Sequence, residues 1–295
     1  MKKIFFIILC FCLSCSNKVN IENNKNIKMI IETSTLIEDK FGEIQKITEK
    51  PKYSRHIDYL QLYDKKGRII NTSFYYPYDS VKNYPSFVED VNGNIIELKE
   101  RESKQRQCYK YDENGNITEV IQYSCQDSIL LKTIYKYDGK SNMEELRNYN
   151  ANGNLSYMYK YKYDNDKQLT EEILIDANGK ELSKTKYFYD KKGNNTELLD
   201  SNDTQSQKLI FEYDANNNKT KEILINGENE KIVRYTYKYD NKGNMIELNE
   251  YYSDGTKRFS LIYENTYDKY GSWIKRIESE NDIPKFLIER RILYF

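Results

Sequence analysis

Histidine, tryptophan and proline are almost missing from this 295-residue chain, at one, one and four residues. With His56 as the single histidine, multi-histidine metal centres are unavailable and a histidine-based triad is a poor expectation. His56 reads as an ordinary strand-surface residue. Long apolar runs are lacking too: Ile4–Leu13 is ten residues, too short to cross a bilayer as a helix. Nor is there an excess of charge of one sign, since 46 Lys+Arg balance 46 Asp+Glu. The basic stripe of a nucleic-acid binder is therefore absent, and no nucleic-acid partner is expected. A composition 31% charged and 38% hydrophobic invites a disordered reading, but 29 tyrosines oppose it, because disordered chains are poor in aromatics.

What is abundant is a repeated pattern. Tyr109-Lys110-Tyr111-Asp112-Glu113-Asn114-Gly115-Asn116 returns down the chain, with the Asp at 39, 64, 90, 112, 138, 164, 190, 214, 240 and 268. Glycine follows three places later at Gly42, Gly67, Gly93, Gly115, Gly193, Gly243 and Gly271, with Asn217 in its stead once. The Asp138 and Asp164 copies break the rule, having Gly139 displaced and Lys167 at the glycine position. Asp opening a type I turn, with a residue of positive φ closing it, is the chemistry of a short hairpin loop. Period-two alternation before the turn, as in Tyr157, Tyr159, Tyr161 and Tyr163, marks strands. A spacing near 26 residues fits two strands and two turns. In the simplest register Tyr111 faces Ile117, Tyr109 faces Glu119 and Cys108 faces Val120. One face then carries Tyr111, Ile117, Glu119 and Ile121, the other Lys110, Thr118 and Val120. The predicted fold is all-β: an elongated, twisted or coiled antiparallel sheet of about ten such hairpins, because a flat sheet of roughly twenty strands is not tolerated.

Taken in order, residues 1–14 read as a signal peptide: Lys2 and Lys3, the apolar run, then Ser14. Ser14-Cys15 resembles the lipobox of bacterial lipoproteins, with Cys12 where the usual leucine stands. The resemblance implies lipidation at Cys15, a membrane partner through that lipid, and an exported protein anchored to the cell envelope, with the outer membrane as the expected one. Residues 15–28 form the lipidated cysteine and a flexible tether, and 29–295 the repeat domain. Losing Lys2 and Lys3 leaves the exported chain at about −2. All four prolines lie between the YD turns, where strands are not interrupted. The opposite turns are expected at Asn152-Gly153, Asn178-Gly179, Asn226-Gly227 and Asp254-Gly255, with a longer loop at Tyr76–Ser86. The last copy, holding Trp273 and a strand over Phe286–Phe295, is expected to cap a free end of the sheet.

Candidate chemistry is sparse. Glu97, Glu119, Glu145, Glu171, Glu197 and Glu247 recur seven places after the turn Asp, but equivalent residues two strands apart are about 10 Å from each other and share one environment. They read as a structural ladder, not a hydrolase pair. The Asp164-Asn165-Asp166 and Asp214-Ala215-Asn216 stretches lack the glycine and glutamate spacing of a calcium loop. Cys108 and Cys125 are too far apart along their strands to bridge. No catalytic residue, metal site or cofactor is expected, and the protein is read as a non-enzyme. The one feature that suits a ligand is a tyrosine row, Tyr109, Tyr135, Tyr161, Tyr187, Tyr213, Tyr239 and Tyr267. It would stack on sugars or serve as cross-strand packing.

The Y-x-Y-D-x-x-G-N copies resemble the YD repeats of the Rhs family, across most of 29–295. That resemblance implies a coiled β-sheet of the kind forming shells in bacterial surface and toxin proteins, some of them associated with carbohydrate. No toxin domain is expected to follow, and the chain is expected to be too short to close a shell. Two functions follow as expectations: an envelope lipoprotein whose repeat sheet binds a glycan or protein or acts as a scaffold, and an accessory component of an Rhs toxin system, such as an orphan shell fragment or an immunity-like protein.

Overall fold

The chemistry of one hairpin explains the architecture. Asp112 N donates to Asn116 O at 2.9 Å and Gly115 N to Asp112 O at 3.0 Å, with Gly115 at φ 72°. The Asp112 carboxylate accepts the Asn116 amide on Oδ1 at 2.7 Å and the Asn116 Nδ2 on Oδ2 at 2.8 Å. The asparagine of the motif is thus half of a side-chain clamp. Asn142, Asn194 and Asn218 repeat it on Asp138, Asp190 and Asp214, and Gln168 does so on Asp164. These bonds hold the carboxyls of Asp90 and Asp138 below the ordinary value, chiefly through Asn94 and Asn142. The two copies without glycine in place keep the turn, because Ser141 and Lys167 take φ 64° and 63°.

In a computed structural model the chain is described over residues 27–40, 43–47, 58–63, 67–75, 86–99, 104–202, 206–226 and 229–294. The signal peptide, Cys15, His56, Pro51, Pro77, Pro85 and nearly all of the Tyr76–Ser86 loop lie outside them. Every regular element described is a strand. β1 (Ile27–Lys40) and β2 (Glu43–Lys46) come first, then β3 (Asp58–Tyr63), β4 (Ile69–Tyr75), β5 (Ser86–Glu89), β6 (Ile95–Lys99), β7 (Arg106–Tyr111) and β8 (Ile117–Tyr123). The middle holds β9 (Ile129–Tyr137), β10 (Met143–Asn150), β11 (Leu155–Tyr163), β12 (Leu169–Asp176), β13 (Glu181–Tyr189) and β14 (Asn195–Asn202). The last are β15 (Ser206–Tyr213), β16 (Lys219–Ile225), β17 (Lys231–Tyr239), β18 (Met245–Tyr251), β19 (Lys257–Tyr267), β20 (Trp273–Glu280) and β21 (Ile283–Tyr294).

All pairings are antiparallel, and consecutive strands from β5 to β21 are neighbours. β21 then pairs with β1, β1 with β2 and β3, and β3 with β4, so among the described residues the ladder is open at β4, β5 and the short β2. This corrects the expectation that the last copy caps a free end. β21 is flanked on both sides, its apolar run Phe286–Ile288 matching Leu36, Thr35 and Ser34 of β1. Pro284 also lies inside β21 rather than in a connection. It pairs with Ser279 next to a register shift at the strand's start, where a missing amide hydrogen is tolerated. Asp39 differs from its equivalents: it pairs with Ile44 and does not open a turn. The expected turn at Asn226 is present, closed by Asn229, which is left-handed at φ 62°.

Just after each YD turn the ladder skips one residue. Tyr111 pairs with Ile117 but Lys110 with Glu119, leaving Thr118 as a bulge. The same shift follows Tyr63, Tyr137, Tyr163, Tyr189, Tyr213, Tyr239 and Tyr267. The expected register is therefore wrong by one residue. Tyr109 faces Val120, Cys108 faces Ile121, and the two faces redistribute as Tyr111, Ile117 and Val120 against Lys110, Glu119 and Ile121. A repeated bulge adds twist at one end of each hairpin, which lets so wide a sheet coil. Cys108 and Cys125 are both free.

The coil brings the sheet's two ends over each other. Ile31, Leu60 and Leu62 on the outer face of β1 and β3 pack against Ile95, Leu98 and Tyr109 on the inner face of β6 and β7. Lys28 reaches Glu89 at 2.8 Å. Arg68 donates to the Asn116 Oδ1 at 2.8 Å and the Gly115 carbonyl at 2.6 Å, bringing the start of β4 against the Asp112 turn. Strands β1, β3 and β4 are thus rolled inside the curl, and the face bearing the YD tyrosines is the inner one.

Candidate functional site

The inner face holds the predicted tyrosines, on two rungs rather than one. Tyr109, Tyr135, Tyr161 and Tyr187 stand three residues before their turn Asp, while Tyr213, Tyr239 and Tyr267 stand immediately before it. The rung next to the turn does structural work. Between hairpins the backbone ladder stops at the residue seven places past the Asp, for example Glu97 with Cys108 and Glu171 with Lys186. Past that point a tyrosine hydroxyl replaces it. Tyr111 donates to Ile95 O at 2.7 Å, Tyr137 to Ile117 O at 2.9 Å and Tyr189 to Leu169 O at 2.8 Å. Tyr213 donates to Asn195 O at 2.6 Å and Tyr239 to Lys219 O at 2.9 Å. Tyr267 and Tyr294 bind the preceding turn carboxylates, Asp240 and Asp268, instead. Burial pushes the phenols of Tyr137, Tyr163 and Tyr239 up to about 12.

The rung further from the turn varies. Tyr109 and Tyr187 are buried, Tyr109 under the overlap. On β11 the Tyr159 and Tyr161 rings stack, 6.1 Å apart at 17°, while Tyr157 meets Tyr159 edge-on, 5.9 Å apart at 87°, and is 37% exposed. Among the described residues this is a run of three tyrosine rings in contact along one inner-face strand.

The repeated glutamates point outward, away from the tyrosine hydroxyls. Glu119 meets Lys110 at 2.7 Å and Lys132 at 2.6 Å, Glu171 meets Lys162 at 2.6 Å, and Glu247 meets Lys238 at 2.7 Å. In the Asp214 copy the charges are exchanged, Lys221 facing Glu212 at 2.7 Å. That exchange identifies a cross-strand ion pair as the reason for the position. The lysines hold the carboxyls of Glu119, Glu171 and Glu247 below the ordinary range.

A second inner-face cluster escaped the sequence reading. Where β1 joins β21, Arg290 donates through Nε to Glu32 at 2.7 Å and through Nη2 to the Tyr59 hydroxyl at 3.0 Å, and Tyr59 donates to Glu32 at 2.8 Å. Arg290 lies 3.4 Å from the Trp273 ring centroid and Arg276 4.2 Å from it. One signal was available: Tyr294 stands 26 residues after Asp268, so β21 continues the period and its arginines fall on a predictable face.

No protein-family model matches the chain, and no curated protein matches it. Among solved structures, the chain is similar to the crystal structure of TcdB2-TccC3-Cdc42 at 12% identity and a TM-score of 0.41, over 90% of this chain and 17% of that one. TcdB2-TccC3 without its hypervariable C-terminal region gives 11% identity and 0.41, over 91% and 18%. A porin-like protein from Bacteroides uniformis gives 12% identity and 0.45, over 90% of this chain and 98% of that one. The chain thus spans about a sixth of the TcdB2-TccC3 chains.

Proposed function

We propose that this chain is a non-enzymatic binding or scaffold protein of the bacterial cell envelope, lipid-anchored at Cys15, whose inner aromatic face takes a glycan or a protein segment. The observation that carries this reading is the run of contacting rings Tyr157, Tyr159 and Tyr161, on a strand whose neighbour β12 is tied to the next hairpin by the Tyr189 hydroxyl. A rigid aromatic platform binds sugar rings or an extended peptide with little loss of side-chain entropy. The recurrent carboxylates support the non-enzymatic reading, because Glu119, Glu171, Glu197 and Glu247 are each spent on a lysine of a paired strand, and Glu97 and Glu145 on the arginines Arg106 and Arg147.

The test is a glycan array and an envelope-protein pull-down with the full chain and with Tyr157→Ala/Tyr159→Ala/Tyr161→Ala. Binding lost in the triple variant with its β circular dichroism unchanged is the expected result. Undiminished binding, or no retained glycan or protein with the wild type, overturns the reading. Palmitate labelling is expected in the wild type and absent in Cys15→Ser; labelling that persists there overturns the anchor.

A further inference from the structure

Arg276 is a charge without a counter-charge in contact. It sits on the inner face of β20, half-buried, with its guanidinium 4.4 Å from the Tyr263 ring centroid and 4.2 Å from that of Trp273. Its Nε donates to Asn265 Oδ1 at 2.7 Å. Among the described residues no carboxylate reaches it within ion-pair distance: Glu32 is engaged by Arg290, and Glu278, opposite Tyr263, acts on it only from further off. Burial first, and then the nearby Arg290, hold its pKa below that of an ordinary arginine. Half-buried charges are normally paired, because desolvation is otherwise uncompensated. Beside it, buried Asn265 Nδ2 makes no full hydrogen bond, although it lies close enough to the Tyr267 hydroxyl to favour its ionised form. An uncountered guanidinium and an under-satisfied amide donor thus meet beside two aromatic rings. A guanidinium edge can take a carboxylate through two parallel hydrogen bonds.

We propose that Arg276 and Asn265, with Tyr263 and Trp273 as walls, receive the carboxylate of an acidic saccharide of the uronic-acid type. The saccharide part of this assignment rests on the glycan reading above; the anion part rests on the uncountered Arg276 guanidinium, with the Asn265 amide beside it. The carboxylate would supply the counter-charge that Arg276 lacks and a full acceptor for Asn265 Nδ2.

Trp273 is the only tryptophan in the chain, so its fluorescence reports on this site directly. Glucuronate titrated into the full chain is expected to give a saturable change, and glucose none. Arg276→Met should weaken the response at least tenfold while retaining the thermal midpoint. Should that variant fold poorly, Asn265→Asp, which sets a carboxylate against the incoming one, should weaken it similarly. An unchanged titration in a folded variant, or an equal response to glucose, overturns the site. Acetate binding as tightly as glucuronate overturns the saccharide assignment. These outcomes are independent of the Tyr157, Tyr159 and Tyr161 triple variant, so failure of either reading is seen separately.

Discussion

Tyr189→Phe isolates what the hydroxyl bonds between hairpins contribute. The substitution keeps the ring and removes one hydrogen bond of 2.8 Å to Leu169 O, a carbonyl on a residue only 6% exposed. A neutral hydrogen bond is worth about 0.5–1.5 kcal/mol net, and a buried acceptor left without a donor costs about 1–3 kcal/mol. Partial access to water at this half-buried ring lowers the upper figure, so about 1–2 kcal/mol is expected. Tyr157→Phe, on the same face but 37% exposed, should cost less than about 0.5 kcal/mol. Urea unfolding at constant m resolves the difference as a shift of midpoint. Tyr137, Tyr189 and Tyr239 lie in separate hairpins, so their Phe substitutions should add. The triple variant then loses about 3–6 kcal/mol, a large part of the roughly 5–15 kcal/mol of an ordinary domain. If Tyr189→Phe falls within about 0.3 kcal/mol of wild type, or matches Tyr157→Phe, the hydroxyl bonds do not hold neighbouring hairpins together.

The other predictions concern turns, closure and pH. Gly243→Val, at φ 78° with room for a Cβ 3.6 Å from Asn218 Oδ1, should cost about 1–3 kcal/mol through backbone strain alone. Lys167→Gly relieves a lysine at φ 63° and should be neutral or stabilising by up to about 1 kcal/mol; equal thermal shifts of one sign for the two would contradict the turn geometry. Deleting residues 283–295 removes the partner of both β20 and β1, so thermal melting should broaden and light scattering rise; a monomer with the wild-type midpoint would refute closure by β21. Tyr137, Tyr163 and Tyr239 have folded-state pKa values raised to about 12, so the stability they contribute is complete below about pH 10 and lost as pH rises from there through 12. Melting temperature should fall across that window, and less steeply in the Tyr137, Tyr189 and Tyr239 Phe triple variant; a flat profile in the wild type would count against buried neutral phenols.

The hairpin repeat was legible because its determinants are local. An Asp that caps amides two and four residues on, and a residue of positive φ between, write themselves into the sequence at each copy. Even the copies lacking glycine obey, since closing the hairpin outweighs the small cost of a left-handed Ser141 or Lys167. The bulge was not legible: the skipped positions, such as Thr118, Glu144 and Thr170, share no residue type, and period-two counting passes through them. That one-residue slip put Glu119 on the wrong face and hid its pairing with Lys110. The tyrosine row was recognised on the correct face but mixes two rungs: Phe211 and Asn265 interrupt the outer one, and in the Asp240 copy its member is Tyr237, not Tyr239. Pairing of β1 with β21 was beyond local reading, as was the Arg276 cluster that depends on it.

That pairing also dictates when the molecule can be finished. Glu32 and Arg290 are 258 residues apart, so the strand made first waits for the strand made last. Closing a chain segment of that length costs about 5 kcal/mol of loop entropy, and it comes due before the β1–β21 ladder returns anything. Hairpins of 26 residues can form in turn as the chain emerges, but the curl stays unlocked until the final strand arrives. Through that interval β1 presents an unpaired edge within a few residues of the expected tether. Any chaperone or neighbouring copy that meets this chain during its maturation will find β1, not the repeats, as the strand still seeking a partner.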